Sequence, residues 1–411
     1  MRSFAMVLGI LLFLAVVLDA FQTIILPRRP SGRLRITRLF YILTWNPWSK
    51  FARYIQDGQT REQFYSIYGP LSLLLLLVVW ALLLITGFAL VYFALGTPFS
   101  DSMMSQFRGM RFEIWTDLYV SGTTLFTLGL GDVVPRVPVA RGVIIFESGV
   151  GLGLVALVIG YLPVLYSAFS RREVAVALLD ARAGSPPTAA ELLSRHGFDG
   201  GDDALVELLA EWERWAAELL ESHVSYPLLC YYRSQHDNQS WLSALVAILD
   251  ACALLIASRL PSTGPDSREV RVPTRQAQLT FAMARHAIVD LGHIFKLDEK
   301  IRALARQEPD RLSAADFRRL CAVLRPTDIQ LCGEPDSANR LHQLRAMYEP
   351  QARVLGDYLG LAMPLWITEP REKDQWRRVA NLRSNPDPLR EILNKSDSTT
   401  TAALHSHDHD H

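Results

Sequence analysis

The residues with the most specific chemistry form one short run, Thr127-Leu128-Gly129-Leu130-Gly131-Asp132. A row of backbone carbonyls can replace the hydration shell of an ion when successive carbonyls face one axis. An extended chain alternates its carbonyls, so alternate residues must take left-handed dihedrals, which glycine does at little steric cost. Gly129 and Gly131 meet that need, Thr127 adds a hydroxyl at the inner end, and Asp132 leaves the row where it can fix the loop and attract cations. Taken alone, G-x-G-D also suits an ordinary glycine turn. Downstream, Glu147 is the one carboxylate in a long apolar run, and intramembrane ionisable groups are functional candidates by default. It either faces a cavity as a cation attractor or supports the glycine loop from behind. Asp19 poses the same question in the first apolar run, with an interfacial arginine as the candidate partner.

Elements able to position such a loop are legible around it. A bilayer-spanning helix needs about 20 mostly apolar residues, and Phe4–Leu26, Leu71–Leu95 and Val139–Phe169 qualify. Trp241–Ala257 is short and holds Asp250 midway, so it reads as a buried helix of a soluble domain. A cleaved leader is the alternative for the first run; it lacks an A-x-A site, and its loss would reverse the charge asymmetry of the chain, so a true span is expected. The following connector carries Arg28, Arg29, Arg33, Arg35, Arg38, Lys50, Arg53 and Arg61 against Asp57 and Glu62. The excess of cations places it in the cytoplasm, the 96–138 loop outside and the C-terminal half inside. Arg33–Ile55 reads as a basic, aromatic interfacial helix or as a packed connector helix. The 117–135 segment is too apolar for an exposed loop and should re-enter the membrane, where irregular backbone is tolerated only against protein or a watery cavity.

The order outer helix, pore helix, T-L-G-L-G-D and inner helix over Leu71 to Phe169 resembles the pore domain of potassium channels. The resemblance implies that Thr127, Leu128, Gly129, Leu130 and Gly131 supply ion-coordinating oxygens and that Asp132 caps the filter. It also places Thr124 on the pore-helix threonine and Gly151 at a common hinge position. Four chains would close the ring, giving a homotetramer with K+ as permeant ion and no cofactor. Two departures stand out: Leu130 replaces the usual aromatic residue, and Phe126 a frequent second threonine. Both alter the packing sleeve rather than the carbonyl row. Gly149, Gly151 and Gly153 with Pro163 allow a hinge and a kink for a gate, or close helix packing through small residues. No span carries arginine at every third position, so a voltage-sensing helix is not expected.

From Ser170 onward apolar residues recur at helical spacing, broken at Pro186-Pro187, Pro261–Pro265 and Pro309. No strand followed by G-x-G-x-x-G is present, which argues against a Rossmann-type regulatory module. His286, Asp290 and His293 share a helix face in a workable metal geometry, or form a hydrogen-bonded stripe. Asn238 or Ser240 is the expected cap of the helix that begins at Trp241. The four cysteines, Cys230, Cys252, Cys321 and Cys332, lack C-x-x-C spacing and read as free thiols of a reducing compartment. With 42 basic and 42 acidic residues the net charge is zero, which excludes a nucleic-acid binder relying on bulk attraction.

The expectation is an all-α membrane protein: 1–27 an N-terminal transmembrane helix, 28–68 the basic connector, 69–169 the pore domain, 170–393 a helical cytoplasmic domain and 394–411 a disordered tail. It is expected in the plasma (inner) membrane as a multi-pass protein, in contact with the lipid bilayer. It would be a potassium channel, not an enzyme, with its gate biased by the helical domain through a small ligand or a protein. The alternatives are a weakly selective cation channel and a membrane-anchored metal-binding sensor or enzyme.

Overall fold

A computed structural model describes residues 1–26, 35–101, 110–197, 201–235, 239–258, 274–306, 311–327 and 335–367. The expected tail at 394–411 and the Pro261–Pro265 and Pro309 breaks lie outside them. The chain is an all-α membrane protein with an N-terminal span ahead of the pore region. Its described residues form two compact units, Met1–Ser170 with Ser222–Arg233, and Arg171–Glu221 with Ser234 onward.

In the first unit, α1 (Arg2–Ala20) continues through a wide turn of helix, Phe21–Ile25, and is followed by α2 (Ile36–Tyr54) and α3 (Gly58–Ala94). α1 lies against the upper half of α3. A Cβ on Gly9 would sit 2.5 Å from the Gly87 carbonyl oxygen, so only glycine lets the backbones approach so closely. The outer helix α3 starts at Gly58, well before the expected boundary at 69, because Asp57 caps it by accepting from the Thr60 amide at 2.8 Å. α2 buries Phe40, Trp45, Ser49 and Ala52 and leaves Leu39, Ile42, Leu43 and Phe51 exposed. It is thus a packed connector with an apolar outer face. Asp19 ties the three helices together: its Oδ2 accepts from the Thr37 amide (3.0 Å), the Thr37 hydroxyl (2.6 Å) and Trp80 Nε1 (3.0 Å). Arg35 is the arginine beside it, at 3.6 Å from Oδ1.

A short strand β1 (Phe99–Asp101), the pore helix α4 (Met110–Leu125), a strand β2 (Val133–Pro135) and the long helix α5 (Pro138–Ala183) complete the membrane region. β1 and β2 pair antiparallel, Phe99 opposite Pro135, which ties the end of α3 to the start of α5. Val16, Phe40, Leu76, Trp80, Phe88, Tyr92, Val120 and Leu125 belong to one buried core. The unit also includes residues from a distant part of the sequence. Pro227–Tyr231 forms a 3-10 turn whose Tyr231 stacks on Tyr41 at 5.4 Å and packs on Trp45 at 4.8 Å. Tyr226 meets Tyr161 of α5, and Tyr232 meets Phe169 and sits where a Cβ on Gly69 would be.

The second unit contains α6 (Ala189–His196), most of α7 (Gly201–Ser225), α8 (Trp241–Ala257), α9 (Thr274–Ile294), α10 (Asp298–Ala305), α11 (Ala314–Leu324), α12 (Pro335–Ala346) and α13 (Glu349–Leu359). α8 is its buried centre, capped by Ser240, whose hydroxyl accepts from the Ser243 amide at 2.9 Å. Asp250, which argued against a span here, is fully buried; Arg311 Nη2 reaches its two oxygens at 2.5 and 2.7 Å, and Tyr348 donates to it. Arg311 and Arg345 both pair with Glu349 and lie over the Trp366 ring. Burial opposes charge on the Arg311 guanidinium, but Asp250 more than offsets this and holds it firmly protonated.

Cys230 and Cys252 are buried free thiols, but Cys321 is disulfide-bonded. The reading of four free thiols is therefore corrected, and orientation rests on the distribution of cations alone.

Candidate pore loop and its supports

α4 ends at Leu125 and the chain turns at once, with the Thr127 amide donating to the Thr124 carbonyl (2.9 Å) and the Leu128 amide to the Thr123 carbonyl (2.8 Å). Beyond the turn, φ is +55° at Thr127, +53° at Gly129 and +79° at Gly131. Every second residue is thus left-handed, the alternation that turns successive carbonyls to one side. The glycines take this conformation without strain, whereas at Thr127 it is enforced by the tight turn at the end of the helix. Thr124 contributes a backbone carbonyl to that turn. Asp132 ends the row and accepts from the Tyr119 hydroxyl at 2.7 Å, which ties the loop back to α4 and holds the carboxyl below the usual carboxylate range.

Behind the loop, Glu147 of α5 is fully buried. Tyr92 of α3 donates to one of its oxygens at 2.6 Å and Ser121 of α4 to the other at 2.5 Å. The carboxyl thus joins three helices, α3, α4 and α5. Polar groups at this depth must find partners within the protein. Tyr92, Ser121 and Tyr119 were not singled out from the sequence, although each is a polar side chain in an apolar run and that rule flags it.

Gly151 does not stand free for bending. A Cβ there would lie 1.9 Å from the Leu125 carbonyl oxygen, so α5 crosses the end of α4 at backbone contact. Close packing is therefore the role seen for Gly151, while a methyl added at Gly149 or Gly153 would meet nothing within 4 Å. α5 runs through Pro163 as one helix.

The other sequence candidates do not assemble. Asp290 lies between His286 (3.5 Å) and His293 (3.9 Å), but His293 Nε2 turns to Asp298 at 3.0 Å. The ring nitrogens face carboxylates instead of a common point. Among the described residues no group of three or more His, Cys, Asp or Glu side chains is placed to hold a metal, which corrects the metal reading of His286, Asp290 and His293.

The loop is bare in a single chain. Leu128 and Leu130 are 62% and 65% exposed, and only 11% of the most apolar window of α5 is buried, against 33% for α3. Apolar surface at membrane depth needs no protein partner, since lipid tails are as apolar as the side chains.

Residues 74–167 match the model of a family described as ion channel. The chain is also similar to an uncharacterized membrane protein of Bacillus subtilis, YdjJ, with 28% identity over 255 residues, covering 62% of this chain and 70% of that protein. No solved structure matches.

Proposed function

We propose that this protein is a potassium-selective channel in which four copies bring their 127–131 carbonyls around one axis. The observation that carries the reading is the left-handed conformation at Thr127, Gly129 and Gly131 in a loop held by Thr123, Thr124 and Asp132. Potassium is the permeant ion, no cofactor takes part, and no chemical step is catalysed. Glu147 supports the filter through Ser121. The match of residues 74–167 to an ion channel family supports passive conduction. In this reading the protein lies in the inner membrane with the 96–138 loop outside and the C-terminal unit in the cytoplasm, as the basic connector favours. The C-terminal unit biases the gate at the inner end of α5, in response to a small ligand or a protein.

The test is ion flux from purified protein in liposomes, potassium against sodium, beside Gly129→Ala. A methyl at φ +53° is strained whatever space surrounds it, so the variant should abolish potassium flux. Unchanged flux through Gly129→Ala would overturn the carbonyl-row reading. A weakly selective cation channel is the second reading, favoured by the aliphatic Leu130 where an aromatic sleeve would stiffen the filter. Gain of selectivity in Leu130→Tyr would decide for it.

A further inference from the structure

Pro163 stands inside α5, with Gly160 just ahead of it. Proline has no N–H to give the Ile159 carbonyl, and its ring crowds that carbonyl, so a helix kinks or breaks there unless its neighbours hold it. Gly160 loosens the same turn, and nothing of the chain lies within 4 Å of the place of its Cβ. The backbone nonetheless continues as one helix to Ala183.

Support reaches this point from the turn at 226–232. The turn is keyed to the outer helices: the buried Tyr231 ring meets those of Tyr41 (5.4 Å), Trp45 (4.8 Å) and Tyr68 (5.4 Å). Arg233 lies over the Tyr65 ring at 4.4 Å and pairs with Glu62 at 3.7 Å. Tyr232 presses on α3 where Gly69 has no side chain, its ring 2.8 Å from the place of a Cβ. From that footing two rings meet α5 on either side of the break. Tyr226 packs edge-on against Tyr161 at 5.5 Å, before Pro163, and Tyr232 against Phe169 at 5.6 Å, after it. Tyr161 and Phe169 are buried, whereas Leu162, Val164 and Tyr166 between them are exposed. The two grips lie about 12 Å apart along the helix. The chain enters the turn directly from the end of α7, without a glycine, and the Tyr226 amide donates to the Ser222 carbonyl at 2.8 Å.

We propose that the 226–232 turn is a splint across the Pro163 break. Tyr226 and Tyr232 are the positioning residues that hold the inner helix straight, and α7 acts on the gate by shifting them. The effect on conduction rests on the pore reading; the hold on α5 is measured without it. The test is hydrogen exchange of the full-length protein, with potassium flux from the same preparations. In Tyr226→Ala with Tyr232→Ala, the amides of 164–167, whose helical bonds flank the missing one, should exchange about tenfold faster or more, the loss expected from two aromatic pairs, while those of α4 and α8 stay as in the wild type. Flux of this variant should change by about fivefold or more, the low end for coupled sites, with the potassium-over-sodium ratio unchanged. Tyr226→Phe keeps the ring and should match the wild type. Should the double variant not fold, Tyr226→Ala alone gives the same readouts at smaller amplitude. Unchanged exchange at 164–167, loss of protection spread through α4 and α8, a Tyr226→Phe that behaves as the alanine variant, or faster exchange with unaltered flux through a conducting protein would each overturn the proposal. A wild type without Gly129-sensitive flux would instead overturn the pore reading, and exchange at 164–167 then decides on the splint alone.

Discussion

Gly151→Ala is the sharpest perturbation that the membrane unit offers. The added methyl carbon would lie 1.9 Å from the Leu125 carbonyl oxygen and 2.8 Å from its carbon. Neither atom belongs to a flexible side chain, so α5 and the end of α4 must separate by more than about 1 Å, in an interior packed with few voids. Overpacking of this kind costs about 1–3 kcal/mol, and a contact made by backbone on one side falls at the upper end. The displaced carbonyl is two residues before Thr127, so the strain enters the loop directly. Gly149→Ala and Gly153→Ala supply the internal control. Neither methyl has an atom of the chain within 4 Å, and alanine for glycine inside a helix gains about 1 kcal/mol. Thermal unfolding of the three full-length variants, with potassium flux from each, should therefore separate them: lower melting and impaired flux for Gly151→Ala, and no loss from packing within the chain for the other two. If Gly151→Ala melts with or above the wild type and only opening is impaired, the packing argument fails and the hinge reading replaces it.

Three further outcomes follow from buried polar contacts. Asp250→Ala removes one of the two carboxylates on buried Arg311, Glu349 remaining at 3.2 Å, and should destabilise the C-terminal unit by about 3 kcal/mol in chemical denaturation, the low end for a broken buried pair; a loss below 1 kcal/mol, taken as about the value of an exposed ion pair, would mean that the pair is solvated. Asp19→Ala strands Trp80 Nε1 and the Thr37 amide together, each costing about 1–3 kcal/mol, and should lower the melting temperature far more than Asp57→Ala at the exposed start of α3. His196 is held below the ordinary imidazole value of 6.5, first by burial, so the unfolded chain takes up its proton earlier. Stability should fall as the pH drops below 6.5, and His196→Gln should flatten that part of the profile; an identical slope in the variant would refute it.

Much of this was readable from composition and spacing because hydrocarbon is a strict solvent. Apolar runs of span length read as helices, and the glycine-threonine run between two of them, too apolar for an exposed loop, reads as one sheltered by protein. Asp250 and the Ser240 cap were placed correctly for the same reason: a carboxylate inside a short apolar helix demands a partner from the rest of a folded domain. What stayed hidden depends on pairs far apart in sequence. Glu147 was visible as an anomaly, but its partners Tyr92 and Ser121 lie 55 and 26 positions away. The His286 row failed in the opposite direction, since helical periodicity shows a shared face and says nothing of where the ring nitrogens turn. Gly151 could equally bend or pack until the Leu125 carbonyl was seen against it.

The tyrosine-rich turn at 226–232 bears on how the protein is made. Its rings complete the packing of α2, α3 and α5, yet it follows the last membrane helix by more than 40 residues, through α6 and α7. A nascent chain can thread all its apolar segments into the bilayer and still lack a finished membrane unit until Arg233 has left the ribosome. Release of a chain cut after residue 170 would give an inserted but unclosed bundle, with Tyr41, Trp45 and Gly69 uncovered.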